Sequence, residues 1–142
     1  MLTNFWRLLF WLSLAASLVM LLAPADTVLQ IKIWLAQWLP FGQQLDELDA
    51  TQNSDKLIHF SVFALLGWLG SHAWRMRSGL NHPLLVGLVV MAAGTEGLQH
   101  WVPGRSASLG DLLADLAGLM LGLVLARVGA TRSSFKNAHQ NP

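Results

Sequence analysis

A chain of 142 residues is one domain's worth of protein by the usual length relation. It is 54% hydrophobic and only 12% charged, with a mean hydropathy of +0.46, and its apolar residues fall in long runs, so the composition belongs with membrane proteins rather than soluble ones. The net charge of +1, with no basic stripe carrying interleaved aromatics, excludes nucleic acid as the expected partner, and the absence of cysteine excludes disulfides, thiolate metal sites and a cysteine nucleophile.

The first run, Phe5 to Ala23, has the length that a helix needs to cross a bilayer, roughly 20 apolar residues, and its single charge, Arg7, lies at one end. Ala23-Pro24-Ala25 also imitates the small-x-small end of a secretory signal, so cleavage there is the rival reading of this segment. Asp26 to Leu39 is too short and mixed to span; with Asp26 or Thr27 as a cap and Trp34 and Trp38 on one face, it is expected to lie flat in the interface. Pro40 and Gly42 end it, and Gln43 to Ser54 reads as a polar, acid-bearing exported loop.

Leu57 to Trp74, Pro83 to Trp101 and Leu109 to Val128 are three further spans. Helices are the expected form, because backbone N–H and C=O groups in lipid must be satisfied within the segment. The fold class expected is therefore all-α and polytopic, with four transmembrane helices and one short interfacial helix. Residues 1–128 form the membrane domain, and 129–142 a basic, polar and disordered cytoplasmic tail.

Charge sets the orientation. Arg7, Arg75, Arg77, Arg127, Arg132 and Lys136 occupy the amino terminus, the loop after the second span and the tail, whereas every Asp and Glu lies on the opposite half. The positive-inside rule puts both termini in the cytoplasm. Asp55, Lys56 and His59, then Glu96, Gln99 and His100, then Asp111 and Asp115 thereby gather at the outer ends of three helices, as stripes at i, i+3 and i, i+4 spacing. Counting back from Trp101, Glu96 lies on the order of 7 Å below the interface, where an ionised carboxylate costs about 2.5–3.5 kcal/mol. Such acids need partners, and Arg105, in the short VPGRSAS hairpin, is the expected clamp. The bland alternative makes Asp55 or Ser108 a helix cap, Asp111 a first-turn acid and the whole a structural ion-pair network.

The ordered set D-K-x-x-H-F-x-x-F (Asp55 to Phe63), E-x-x-Q (Glu96, Gln99), P-G-R (Pro103 to Arg105) and S-x-x-D-x-x-x-D-x-x-G-x-x-x-G (Ser108 to Gly122) resembles the VanZ-like family of small bacterial membrane proteins. The resemblance is strongest over residues 55–127, and it departs at Asp115, where the family pattern commonly carries Asn. The family takes its name from a protein linked to low-level resistance to the glycopeptide teicoplanin. It implies an architecture and a set of site positions rather than a reaction.

Three functions fit the pattern. In the first, Asp55, Lys56, His59, Glu96, Gln99, Arg105, Ser108, Asp111 and Asp115 line an outer pocket that binds, and in one form modifies, an anionic envelope amphiphile such as a membrane lipid or a lipid-linked envelope precursor. Catalysis would then be acid–base, with His59, Glu96 and Asp111 as its candidates, because Ser108 has no assigned base. In the second, the protein is a membrane partner or sequestrant with no chemistry of its own. The third is metal binding or proton-coupled transport, but no H-x-x-x-H or H-E-x-x-H spacing occurs, so the reading carries no metal and no cofactor. Inner halves almost free of ionisable residues argue against transport.

Overall fold

The computed structural model describes residues 2–38, 53–74 and 82–138. Pro40 and Gly42, the acids Asp46, Glu47 and Asp49, the basic pair Arg75 and Arg77, and His139 lie outside the described residues. Among the described residues every regular element is a helix: α1 (Leu2–Leu22), α2 (Ala25–Trp38), α3 (Asn53–Ala73), α4 (His82–Gln99) and α5 (Leu109–Ala138).

α1 ends one residue ahead of Ala23-Pro24, because proline has no N–H to continue the ladder and disfavours helix in the residue before it. The Pro24 carbonyl then accepts the first bond of α2, from Val28 N–H at 3.1 Å. Asp26 therefore sits in the first turn of α2, complementing its dipole, and neither Asp26 nor Thr27 is the cap expected from sequence. Similarly, α3 begins at Asn53 rather than Leu57, which draws Asp55 into its first turn. α5 does not stop at Val128. It runs on through Ala138, so the stretch that composition assigns to a disordered tail begins as helix. Gly129 alone weakens it by about 1 kcal/mol, and no proline follows before Asn141.

Two helices, Leu2–Leu22 and the Leu109–Gly129 portion of α5, are long and apolar enough to cross a membrane, while Pro83–Gln99 is a shorter apolar helix. α3 has the length, but its opening turns carry Asp55, Lys56 and His59. Large apolar side chains cover the outside: Leu8, Trp11 and Val19 on α1, Val86 and Val90 on α4, and Leu113, Met120 and Val124 on α5 are all exposed. A monomeric soluble domain rarely shows so extensive an apolar surface.

The core runs along α3. Its Phe63, Leu66, Leu69 and Ala73 meet Phe10 and Leu21 of α1, Leu88 and Ala92 of α4, and Leu119 of α5. The closest pair is α3 with α5, and glycine makes it possible. A Cβ at Gly118 would overlap the Phe60 backbone carbonyl, and one at Gly122 would overlap that of Ala64. The G-x-x-x-G step of α5 is thus a helix-contact surface, as small residues at this spacing allow.

The two ends of the bundle differ in chemistry. At one, the Arg7 guanidinium lies 5.9 Å from the Trp74 ring, and Trp6 packs on Trp68 and His72 with centroids 5.5 and 5.0 Å away. This places the start of α1 beside the end of α3. At the other, Ala25 N–H donates to the Pro103 carbonyl at 3.2 Å, joining the α1–α2 corner to the hairpin between α4 and α5. Gly104 turns that hairpin with φ of 73°, and a Cβ there would come within 2.9 Å of Ala25 Cβ.

Candidate functional site

Three residues at the start of α3 each reach a different group across the bundle. Asp55 Oδ2 lies 3.6 Å from an Arg105 terminal nitrogen. One position on, the Lys56 ammonium lies 3.9 Å from Asp111 Oδ1. Its stem crosses the first turn of α5 at Gly110, where a Cβ would come within 2.8 Å of Lys56 Cε. A turn deeper, His59 is buried and its Nδ1 shares a hydrogen bond of 2.9 Å with Asp115 Oδ1, the acid being wholly buried as well. The i, i+4 spacing of Asp55 and His59 is the reason one helix edge can serve both.

From α4, Glu96 accepts the Ser108 N–H at 2.6 Å. Ser108 caps α5, its Oγ accepting the Gly110 N–H at 3.1 Å. In a capping box the residue three places after the cap bonds back to the cap's own N–H. Here that residue is Asp111, and Glu96 of another helix has taken the task, leaving the Asp111 carboxyl turned toward Lys56. Sequence therefore identifies Ser108 as a cap and Asp111 as a first-turn acid, but not the partner of either.

The buried atoms left over define the site. His59 Nε2, Glu96 Oε1, Asp111 Oδ1 and Asp115 Oδ2 are buried without a hydrogen-bond partner, as is Arg105 Nε. One donor atom from each of His59, Glu96 and Asp111 falls within 4.8 Å of the others. Orphaned buried polar atoms are rare because each costs about 1–3 kcal/mol, so unpartnered atoms on three residues that meet from three helices single this cluster out as the candidate site.

The residues expected to share this pocket separate into two groups. His59, Glu96, Asp111 and Asp115 are buried, and Lys56 pairs with Asp111; nearer the hairpin, Asp55 pairs with Arg105 and Ser108 gives its N–H to Glu96. Arg105 is a clamp, but on Asp55 rather than on Glu96 or Asp111. Gln99 is elsewhere engaged: it is buried and donates its side-chain N–H to the Leu21 carbonyl at 2.9 Å, satisfying one of the orphan acceptors at the end of α1. His100 is not on the α4 stripe at all. The helix has ended at Gln99, and the His100 ring lies exposed against Trp101. Missed from sequence were the Leu21 carbonyl and the Ala25–Pro103 bond, since backbone acceptors carry no residue-type signal. The absence of a short histidine spacing is also no guide here, because ligand-capable atoms from positions 59, 96 and 111 converge through tertiary packing.

Compared with known families, the sequence matches VanZ/LLP1 over residues 5–130, nearly its whole length. The chain belongs to the VanZ/LLP1 family. No curated protein matches it, and no solved structure does. VanZ/LLP1 membership and two membrane-length apolar helices together support a membrane protein. In this VanZ/LLP1 chain the residues of the four motif segments are not scattered over the fold. His59, Glu96 and Asp111 meet at the end of the bundle where α3 and α5 begin and α4 stops, Arg105 pairs with Asp55 beside them, and Gln99, Phe63, Gly118 and Gly122 pack the helices.

Proposed function

We propose that this VanZ/LLP1 protein crosses the bacterial inner membrane four times, with both termini in the cytoplasm, and binds the anionic headgroup of a cell-envelope amphiphile in a pocket at the outer leaflet. The carrying observation is a buried polar cluster on helix ends that also expose apolar side chains: Leu57, Leu98, Trp101, Leu109 and Leu113 are exposed in the same segments that supply the Asp55–Arg105 and Lys56–Asp111 pairs. An amphiphile needs both surfaces at once.

Beyond the two helices whose length and hydropathy suffice, the reading of four spans draws on helix dimensions and burial. α4, at 18 residues, is about 27 Å long, close to a hydrocarbon core of about 30 Å. α3 buries His59 against α5 and pairs Asp55 and Lys56 with Arg105 and Asp111, so that its polar residues are not left without partners in lipid. α2, with exposed Leu29, Ile31, Ile33 and Trp34, suits the outer interface. Arg7 and Arg127 at the other end of the bundle fit a cytoplasmic side.

Arg105 is the headgroup contact. Its side chain is only 10% exposed, its Nε lacks a partner, and Asp55 is the acid that holds it at 3.6 Å. A planar guanidinium with unused donors is suited to a phosphate or carboxylate, and Lys56 supplies a second, movable charge. Purified protein titrated with phosphatidylglycerol in a neutral detergent is expected to bind it, and Arg105→Ala to weaken binding at least about tenfold, in line with the loss of one charge-assisted contact. Equal affinity in wild type and Arg105→Ala, with Asp26→Asn as the control, would remove this reading in favour of a partner-binding protein.

A further inference from the structure

The buried residues of the proposed pocket, its floor, point to an inorganic ligand. His59 is the only imidazole of the cluster; it is 1% exposed and presents two different nitrogens. Nδ1 is held by Asp115 at 2.9 Å, whereas Nε2 is buried with no partner. A carboxylate on one ring nitrogen fixes the tautomer and orientation so that the other nitrogen offers its lone pair, which is the arrangement found behind metal-ligating histidines. Two acids whose carboxylates come within 4.8 Å of a ring nitrogen of His59 also keep an unpartnered oxygen. Glu96 has given one oxygen to Ser108 N–H and keeps Oε1 buried and unpartnered; Asp111 keeps Oδ1 buried without a hydrogen-bond partner, 3.9 Å from the Lys56 ammonium.

We propose that His59, Glu96 and Asp111 form a divalent transition-metal site, with Asp115 as the residue that positions the histidine. A cation there would balance the charge. Glu96, Asp111 and Asp115 place three carboxyls around one imidazole, and Lys56 neutralises only the outermost of them, from a half-exposed position it can leave. Buried charges in proteins are paired or coordinate metals. The geometry is close to that needed: tetrahedral bonds of about 2.0–2.2 Å set neighbouring ligands roughly 3.4 Å apart, and the three donor atoms already lie within 4.8 Å of one another. One imidazole with two carboxylates suits Zn²⁺ or Mn²⁺ over an alkaline-earth ion, and three protein ligands leave a position open for water or an anionic oxygen.

This assignment rests on the floor residues and not on the headgroup contact at Arg105, so either can fail alone. The test uses the full chain without a histidine tag, stripped by chelation in detergent and titrated with Zn²⁺ and, separately, Mn²⁺. One ion per chain is expected for at least one of them, confirmed by elemental analysis. His59→Ala, Glu96→Gln and Asp111→Asn should each weaken binding more than about tenfold, and Asp115→Asn by about 10–100-fold as a positioning residue. Asp26→Asn should leave binding unchanged. Helicity and monodispersity of each variant show that it is folded, and where one is not, the wild-type titration decides. Absence of stoichiometric binding of both ions by wild type overturns the proposal, as does unchanged affinity in folded His59→Ala or Glu96→Gln.

Discussion

Gly118→Val is expected to prevent the bundle from assembling. The wild-type glycine lies against the Phe60 backbone, and a Cβ at that position would occupy the space of the Phe60 carbonyl. Overpacking against side chains costs about 1–3 kcal/mol because the neighbour can rotate away. A backbone carbonyl within α3 cannot do so without breaking its helix, so the cost here should exceed that range. The remaining response is for α3 and α5 to separate, which also pulls Asp115 from His59. Gly118→Val should therefore lose its cooperative thermal transition in detergent or elute as aggregate, and Gly122→Val, which meets Ala64 and Trp68 backbone, should behave alike. Gly87→Ala and Gly94→Ala are the controls. A methyl group at either meets nothing within 4 Å, and the gain in helix propensity should hold or raise the melting temperature. A Gly118→Val protein that melts like wild type would show that α3 and α5 are not in this contact.

The second large effect is expected at Asp115. Asp115→Leu removes the partner of His59 Nδ1 and leaves a polar ring buried with neither nitrogen satisfied, a loss of about 1–3 kcal/mol. Interhelical hydrogen bonds in membranes average less, about 0.6 kcal/mol, because the separated helices find other partners. Complete burial of both His59 and Asp115 puts this pair toward the upper figure. Asp115→Asn tells the two contributions apart. Its amide oxygen can still accept the Nδ1–H, so stability should change by less than about 1 kcal/mol, while the negative charge behind the histidine is gone. The melting temperature should thus fall clearly in Asp115→Leu and little in Asp115→Asn. Equal falls in the two would mean that charge, rather than the hydrogen bond, holds the helices.

Helical fold and polar convergence were both legible in the residues, for physical reasons. Apolar runs without strand alternation gave the helices, and the spacing of Asp55 with His59 and of Asp111 with Asp115 gave edges that could face one another. Glu96 and Asp115 stood out because acids inside apolar runs require partners. Pairings were not legible. Arg105 had four acids in reach of a short hairpin, and the choice of Asp55 depends on how the hairpin is tied to Ala25 through Pro103. The departure of Gln99 to the end of α1 depends on a backbone carbonyl that no residue type announces. Helix ends shifted for local reasons: Pro24 supplied a backbone start for α2, and the residues after Gly129 held enough helix formers to continue α5.

A double-mutant cycle between His59 and Asp115 tests most directly whether acids and histidine from separate helices meet in one buried cluster. Unfolding free energies of His59→Phe, Asp115→Leu and the double variant are compared with wild type in the same detergent. Contact predicts that the double variant is less destabilised than the sum of the singles by at least about 0.5 kcal/mol, the lower bound for residues that touch. Additivity within about 0.3 kcal/mol would contradict it, and with it the site built on that pair.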